Sequence, residues 1–328
     1  MLSDRQRVMA VGLILALLGM SAPANAGTES STFVRGVYGR DASGSGVTQI
    51  STTGFNAVTV QPWGEHLDQL SDQGLHGVVW LFGYNNETCA FERDDAWVQE
   101  IVRDIAGHPA ILAYNIADEP NAYQCPTSPT QVAERAALVK GLDPSKPTYT
   151  VVAAWDGREG FPYQHFAGTT EIMGLDVYPC AYSLPECKYE DIDRAIAEAD
   201  SDGVDRYWAI LQDFHDGWYR DPSAAELQAQ FDRWARSRME GYFVYHWEVG
   251  DIGSKTDHMA VLAANNSRAF GPPGVPAPTA SAPSPSPSLA ETVAPVKKVA
   301  GPGRKRLGKK SLRHRRTRRY VARAIGAV

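Results

Sequence analysis

Carboxylates, amides and aromatic rings recur along this chain at the C-terminal ends of short apolar runs. In order they are Arg40 and Asp41, Gln61 and Trp63, Tyr84 and Asn85, Asp118 and Glu119, Trp155 and Asp156, Asp176 and Tyr178, then Gln212, Asp213 and His215, and last His246, Trp247 and Glu248. Carboxylates can donate or take a proton, or attack carbon, as cleavage of a glycosidic bond requires. Flat rings cover the apolar side of a sugar while amides and carboxylates bond its hydroxyls. Polar loops and buried tryptophans are common in any protein and account for each position singly. They account poorly for the whole set.

Something must carry these residues to one place. Apolar runs at 33–38, 56–61, 77–82, 111–116, 148–153, 172–177, 207–212 and 242–247 are strand candidates. Several, such as "GVVWLF" and "YTVVAA", are nearly continuous in apolar residues, as expected of parallel strands covered on both faces. Helical patterns at 65–72, 94–106, 129–140, 189–200, 224–239 and 257–264 separate most of them. In "DDAWVQEIVRDIAG" acidic residues open the helix, one face is apolar, and Gly107 with Pro109 ends it. Eight βα units in a body of this size predict a (β/α)8 barrel, which typically takes ~250 residues. A doubly wound open sheet is the rival. Its dinucleotide form is disfavoured because the loop "GRDASGSGVTQ" contains no G-x-G-x-x-G leading into a clear helix.

The rest of the chain concerns address and attachment. Residues 1–26 have a basic start, an apolar stretch too short to span a bilayer and an Ala24-Asn25-Ala26 cleavage box, the layout of a signal peptide. This predicts secretion, with a mature body at 27–270. Residues 271–296 are rich in Pro, Ala and Ser and read as a linker. Residues 297–328 hold 13 Lys+Arg and no Asp or Glu, so the formal charge of −6 leaves −19 for residues 1–296. Such a tail is expected to be disordered and suits an anionic cell-surface polymer or membrane, with no specific nucleic acid partner for an exported chain.

Four cysteines in an oxidising compartment favour disulfides and allow three pairings. Cys89 and Cys125 follow neighbouring strands, and Cys180 and Cys187 share one short loop. Those two bridges are the expected pair, and both would brace the same end of the barrel. No C-x-x-C or closely spaced histidine pair points to a metal, and neither a metal nor a cofactor is expected.

The segment "LAYNIADEP", residues 112–120, resembles the fourth-strand signature of the (β/α)8-barrel glycoside hydrolases of the cellulase- and mannanase-like clan, an apolar strand ending Asn-Glu-Pro. The nearer likeness is to a divergent branch with "ADEP", "DVYP" and "QDF" motifs, which spans about residues 33–250. The resemblance implies that Glu119 is the general acid/base and that Asp118 takes the place usually held by Asn beside the sugar 2-hydroxyl. It also puts Gln212 where the clan has its nucleophilic Glu, and an amide cannot form a glycosyl ester. Asp176 is the first substitute, with Glu248 and Asp213 as alternatives. Strand alternation turns Asp213 away from the axis if Gln212 points in. Gln61, Trp63, Asn85, Trp155, Tyr178, Gln212, His246 and Trp247 are expected to bind substrate with Asp118.

The expectation is therefore a monomeric secreted glycosidase acting on a poly- or oligosaccharide. A carbohydrate-binding barrel without activity and a surface-attachment protein acting through its tail are the competing classes.

Overall fold

All eight apolar runs form strands in the computed structural model, which describes residues 32–39, 45–153 and 161–270. The expected signal peptide, linker and basic tail lie outside the described residues. The strands are β1 (Val34–Val37), β2 (Ala57–Val60), β3 (His76–Trp80), β4 (Ile111–Asp118), β5 (Thr148–Ala153), β6 (Ile172–Asp176), β7 (Tyr207–Gln212) and β8 (Gly241–Tyr245). Each pairs in parallel with its sequence neighbours, and β1 pairs with β8 from Val34↔Gly241 to Val37↔Val244. The sheet is a closed barrel, which excludes the open doubly wound alternative.

Alternation sorts the side chains of each strand between two cores. Val34, Ala57, Val78, Ala113, Tyr149, Ile172, Trp208 and Phe243 fill the barrel axis. The residues between them pack outward against the helices. Two glycines make room for large axial rings. A Cβ on Gly36 would lie 2.3 Å from the Phe243 ring, and one on Gly174 would lie 2.4 Å from the Tyr149 hydroxyl. The interior is thus a packed core, and a ligand has access only at its end.

The helices are α1 (Ser45–Thr52), α2 (Gly64–Asp72), α3 (Asp95–Ile105), α4 (Ser128–Leu142), α5 (Tyr163–Phe166), α6 (Glu190–Ser201), α7 (Ala224–Trp234) and α8 (Thr256–Asn266). Three depart from the sequence expectation. The glycine-bearing loop after β1 does enter a helix, α1, where Val47 and Ile50 bury one face three residues apart. The short α5 is set by burial of Tyr163 and Phe166 rather than by any periodic pattern. The seventh helix ends at Trp234, five residues before its expected end. Both expected disulfides are present, Cys89–Cys125 and Cys180–Cys187.

Asp213, one residue beyond β7, is wholly buried on the outer side of the barrel. His258 Nδ1 of α8 lies 2.7 Å from its Oδ1, and Lys255 Nζ, which also meets Asp221, lies 3.4 Å away. The hydrogen bond to Asp213 is the main reason that the His258 pKa is raised, aided by the Asp213 charge and opposed by burial and Lys255. A histidine raised on folding adds stability that is complete below its unfolded pKa and is lost as pH climbs through the folded value. Denaturant unfolding followed from pH 6 upward is therefore expected to show stability falling above about pH 6.5. His258→Ala should cost about 3–5 kcal/mol at pH 6 and flatten that slope.

Candidate active site

The end of β4 carries the acidic pair. Asp118 is paired with Val151 of β5, an axial residue, so its carboxyl turns toward the barrel mouth. Glu119 then takes a left-handed backbone with φ 45°, a conformation disfavoured for a side chain with a Cβ. Its N–H donates to the Val151 carbonyl at 3.1 Å. Its own carbonyl accepts from Asn86 Nδ2 at 2.9 Å.

Asn86 also accepts the Asn121 N–H at 2.7 Å through Oδ1, and its carbonyl accepts from Gln124 Nε2 at 2.6 Å. Buried Asn121 in turn accepts the backbone N–H groups of Tyr123 and Gln124. Cys89–Cys125 bonds these same two loops covalently. The unusual turn at Glu119 is thus held from the loop after β3. Sequence reading selected Asn85 there instead, yet the Asn85 Oδ1 accepts Glu87 N–H and Thr88 N–H and caps its own turn. Neither asparagine has a pattern that separates them in sequence. Only the fold distinguishes the one that reaches Glu119.

Asp176 ends β6 and is 5 % exposed. Burial pushes its pKa well up, followed by the charge of Glu119, the hydrogen bond it shares with Glu119, and Asp118, while the Tyr178 hydroxyl pulls it down. Its Oδ1 has no hydrogen-bond partner among the described residues. Asp118 is also pushed well up by burial, then by Glu119 and Glu92. Three carboxyls, Asp118, Glu119 and Asp176, thus crowd one mouth. Such crowding disfavours simultaneous ionisation.

Aromatic hydroxyls line the approach. Tyr38 and Tyr149 meet at 3.2 Å across the axis, and both are held protonated by burial above all. Tyr245 stacks toward Tyr38 at 5.2 Å and Tyr178 at 5.9 Å, and Tyr178 meets Phe214 and Tyr219. Gln61 is half-buried at the end of β2, and Trp63 is 38 % exposed at the start of α2. His246 is buried, with Nδ1 3.1 Å from Glu248 Oε2. The exposed Glu248 lies over the end of β1, its Oε1 3.5 Å from where a Cβ on Gly39 would stand. Trp155 falls outside the described residues.

Three of the residues expected at the site are placed elsewhere. Asp213 faces α8, as alternation with Gln212 foretold, and is not a carboxylate of the mouth. Trp247 packs edge-on against Phe55, and its ring would lie 3.0 Å from a Cβ on Gly253. It is a core residue between β8, α1 and the 3-10 turn Ile252–Ser254, with no face left for a sugar.

Gln212 is fully buried, and its amide is consumed by backbone. Its Oε1 accepts the Cys180 N–H at 2.9 Å, and its Nε2 donates to the carbonyls of Cys180 at 3.2 Å and Arg220 at 2.8 Å. Its main chain is clasped by the Gln230 amide from α7. At this position an amide does what a carboxylate cannot, because both carbonyls need a donor.

No protein-family model matches the chain, and no curated protein matches it in sequence. Its fold is shared with solved structures. One is an endo-β-1,4-mannanase from Thermotoga petrophila, with TM-score 0.51 and 10% identity over 73% of this chain and 77% of that one. Another is a glycosyl hydrolase family 2 member from Bacteroides cellulosilyticus, with TM-score 0.52, 13% identity and coverage of 73% and 33%. A third is the β-glucuronidase of Faecalibacterium prausnitzii, with TM-score 0.51, 15% identity and coverage of 73% and 50%. This chain has the barrel fold of glycoside hydrolases. It spans a half or less of the glucuronidase and family 2 chains and about three quarters of the mannanase.

The bonding of Gln212 makes a clear expectation for the change that would reinstate a carboxylate. Gln212→Glu should cost about 3–5 kcal/mol, since it sets a buried carboxylate against two carbonyl oxygens. A denaturant midpoint near that of the wild type would contradict this account of the clamp.

Proposed function

We propose that the chain is an exported glycosidase that hydrolyses O-glycosidic bonds of a poly- or oligosaccharide, with Glu119 as proton donor. The observation that carries this reading is the crowding of Glu119, Asp176 and Asp118 at the C-terminal mouth of a (β/α)8 barrel, where burial and neighbouring charge push Asp118 and Asp176 well up. Glu119 gives its proton to the glycosidic oxygen as the C–O bond breaks, and the bonding pair leaves with the oxygen. Asp176, across the mouth, is the carboxyl proposed to stabilise the oxocarbenium-like centre that develops. Water then bonds through its oxygen to the anomeric carbon and gives a proton to the Glu119 carboxylate, which restores the acid. Asp118, Tyr178 and Gln61 hold sugar hydroxyls. Glu248, on the neighbouring wall with its Oε2 3.1 Å from His246 Nδ1, is the alternative second carboxylate. Two disulfides and the signal-like start support export, and the basic tail suits retention at an anionic surface.

A second reading has its own observation. The amide of Gln212 stands where a nucleophile is expected and is spent on structure, which favours a barrel that binds carbohydrate without cleaving it. Release of reducing ends from a panel of polysaccharides and aryl-glycosides separates the two. With an active substrate in hand, Glu119→Gln should lower kcat at least about 1,000-fold while leaving sugar binding measurable. Full turnover in that variant removes Glu119 from the mechanism. Asp176→Asn removes the carboxyl that burial and the Glu119 charge push well up, so any limb of the kcat/KM pH profile set by that group should be lost.

A further inference from the structure

Among the described residues only Trp63, Tyr182, Trp218 and Val249 are large apolar side chains in the open. Two of these four stand together. Ala181 and Tyr219 form an antiparallel bridge, and the Tyr182 N–H donates to the Trp218 carbonyl at 2.9 Å while the Arg220 N–H donates to the Cys180 carbonyl at 3.0 Å. Tyr182 and Trp218 are therefore opposite one another across a short ribbon, and cross-strand partners share a face. Tyr219, on the other face, packs inward on Tyr178 and Phe214. Alternation thus sends Tyr182 and Trp218 outward, where they are 59 % and 53 % exposed.

The ribbon is braced far beyond what a surface loop needs. Cys180–Cys187 closes one side. The Asp216 carboxylate accepts the N–H groups of Trp218 and Tyr219, which fixes the turn on the other. Arg220 binds Glu226 through both guanidinium Nη atoms and touches Cys187 Sγ at 3.2 Å. Beneath them all, Gln212 bonds both strands of the ribbon. Rings held this rigidly lose little entropy when something docks on them.

We infer that the Tyr182–Trp218 ribbon is a carbohydrate platform, on which pyranose rings of a polysaccharide chain stack beside the barrel mouth. Two rings are far below the ~800 Å² per partner of a stable protein interface, but they match the apolar faces of one or two sugars. Each ring also carries a polar edge suited to a sugar hydroxyl. The ribbon rises from the ends of β6 and β7, and its inner face packs on Tyr178, two residues beyond Asp176, so a chain held there lies next to the carboxyls. Gln212 gains a reason in turn: at a position lost to chemistry, it became the anchor of the binding ribbon. This inference rests on the carbohydrate reading proposed above.

The test uses the full mature chain carrying Glu119→Gln, so that no probe is consumed. Affinity electrophoresis and tryptophan fluorescence titration would be run with soluble β-mannan, xylan, hydroxyethyl cellulose and their hexaoses. At least one probe is expected to bind, with Trp218→Ala and Tyr182→Ala each weakening it about tenfold or more, and Trp218→Phe restoring most of the loss. Far-UV and near-UV circular dichroism of each variant distinguishes a lost ring from a lost fold. If a probe binds and the double variant Tyr182→Ala/Trp218→Ala binds it as tightly as the parent, the platform is wrong while the carbohydrate reading stands. If no carbohydrate in the panel binds or is cleaved by the wild-type chain, both fall.

Discussion

Closure of the sheet between β1 and β8 is the interaction on which the rest of this molecule depends. Parallel strands expose a row of backbone donors and acceptors at each edge, and pairing Val34–Val37 with Gly241–Val244 leaves no edge to satisfy. Closure also makes inside and outside absolute along every strand. Ring-filled axial positions such as Tyr149, Trp208 and Phe243 then seal the interior, so that polar groups on the strands can meet solvent and ligands only at the ends. The acidic mouth follows from this geometry and needs no further device to gather it.

Burying carboxyls at such a mouth is unfavourable, and the loops bear the cost. Asp118 and Asp176 are pushed well up by loss of water before any neighbouring charge is considered. Glu119 adds a left-handed backbone to that burden. Asn86, Asn121 and the Cys89–Cys125 bridge are the compensating structure on one side, and Gln212, Arg220 and Cys180–Cys187 are their counterpart on the other. Both disulfides stand at the mouth, where ordering long loops is most needed, rather than in a core that packing already stabilises.

Gln212 and Asp213 show how one step along a strand divides two fates. Gln212 turns to the mouth and is absorbed by the ribbon above it; Asp213 turns to α8 and joins His258 and Lys255 in a buried charge cluster. Neither is available as the second carboxylate of a glycosidase. In the function proposed for this chain, that leaves Asp176 and Glu248 as the candidates to act with Glu119.

Strand order, barrel architecture, both cysteine pairings and the placement of Asp118, Glu119 and Asp176 at strand ends were legible in the sequence, because continuous apolar runs and their punctuation are local and the barrel imposes the rest. The helix α1 carries little sequence signal, because it opens on Ser45-Gly46 and its apolar face is only Val47 and Ile50. Tertiary structure alone decided that Asn86 rather than Asn85 supports Glu119, that Trp247 is core, that Gln212 is spent on backbone, and that Tyr182 and Trp218 face solvent together. Each of these turns on which groups from distant segments share a few ångströms, and hydrogen bonding at that range leaves no periodic trace along the chain.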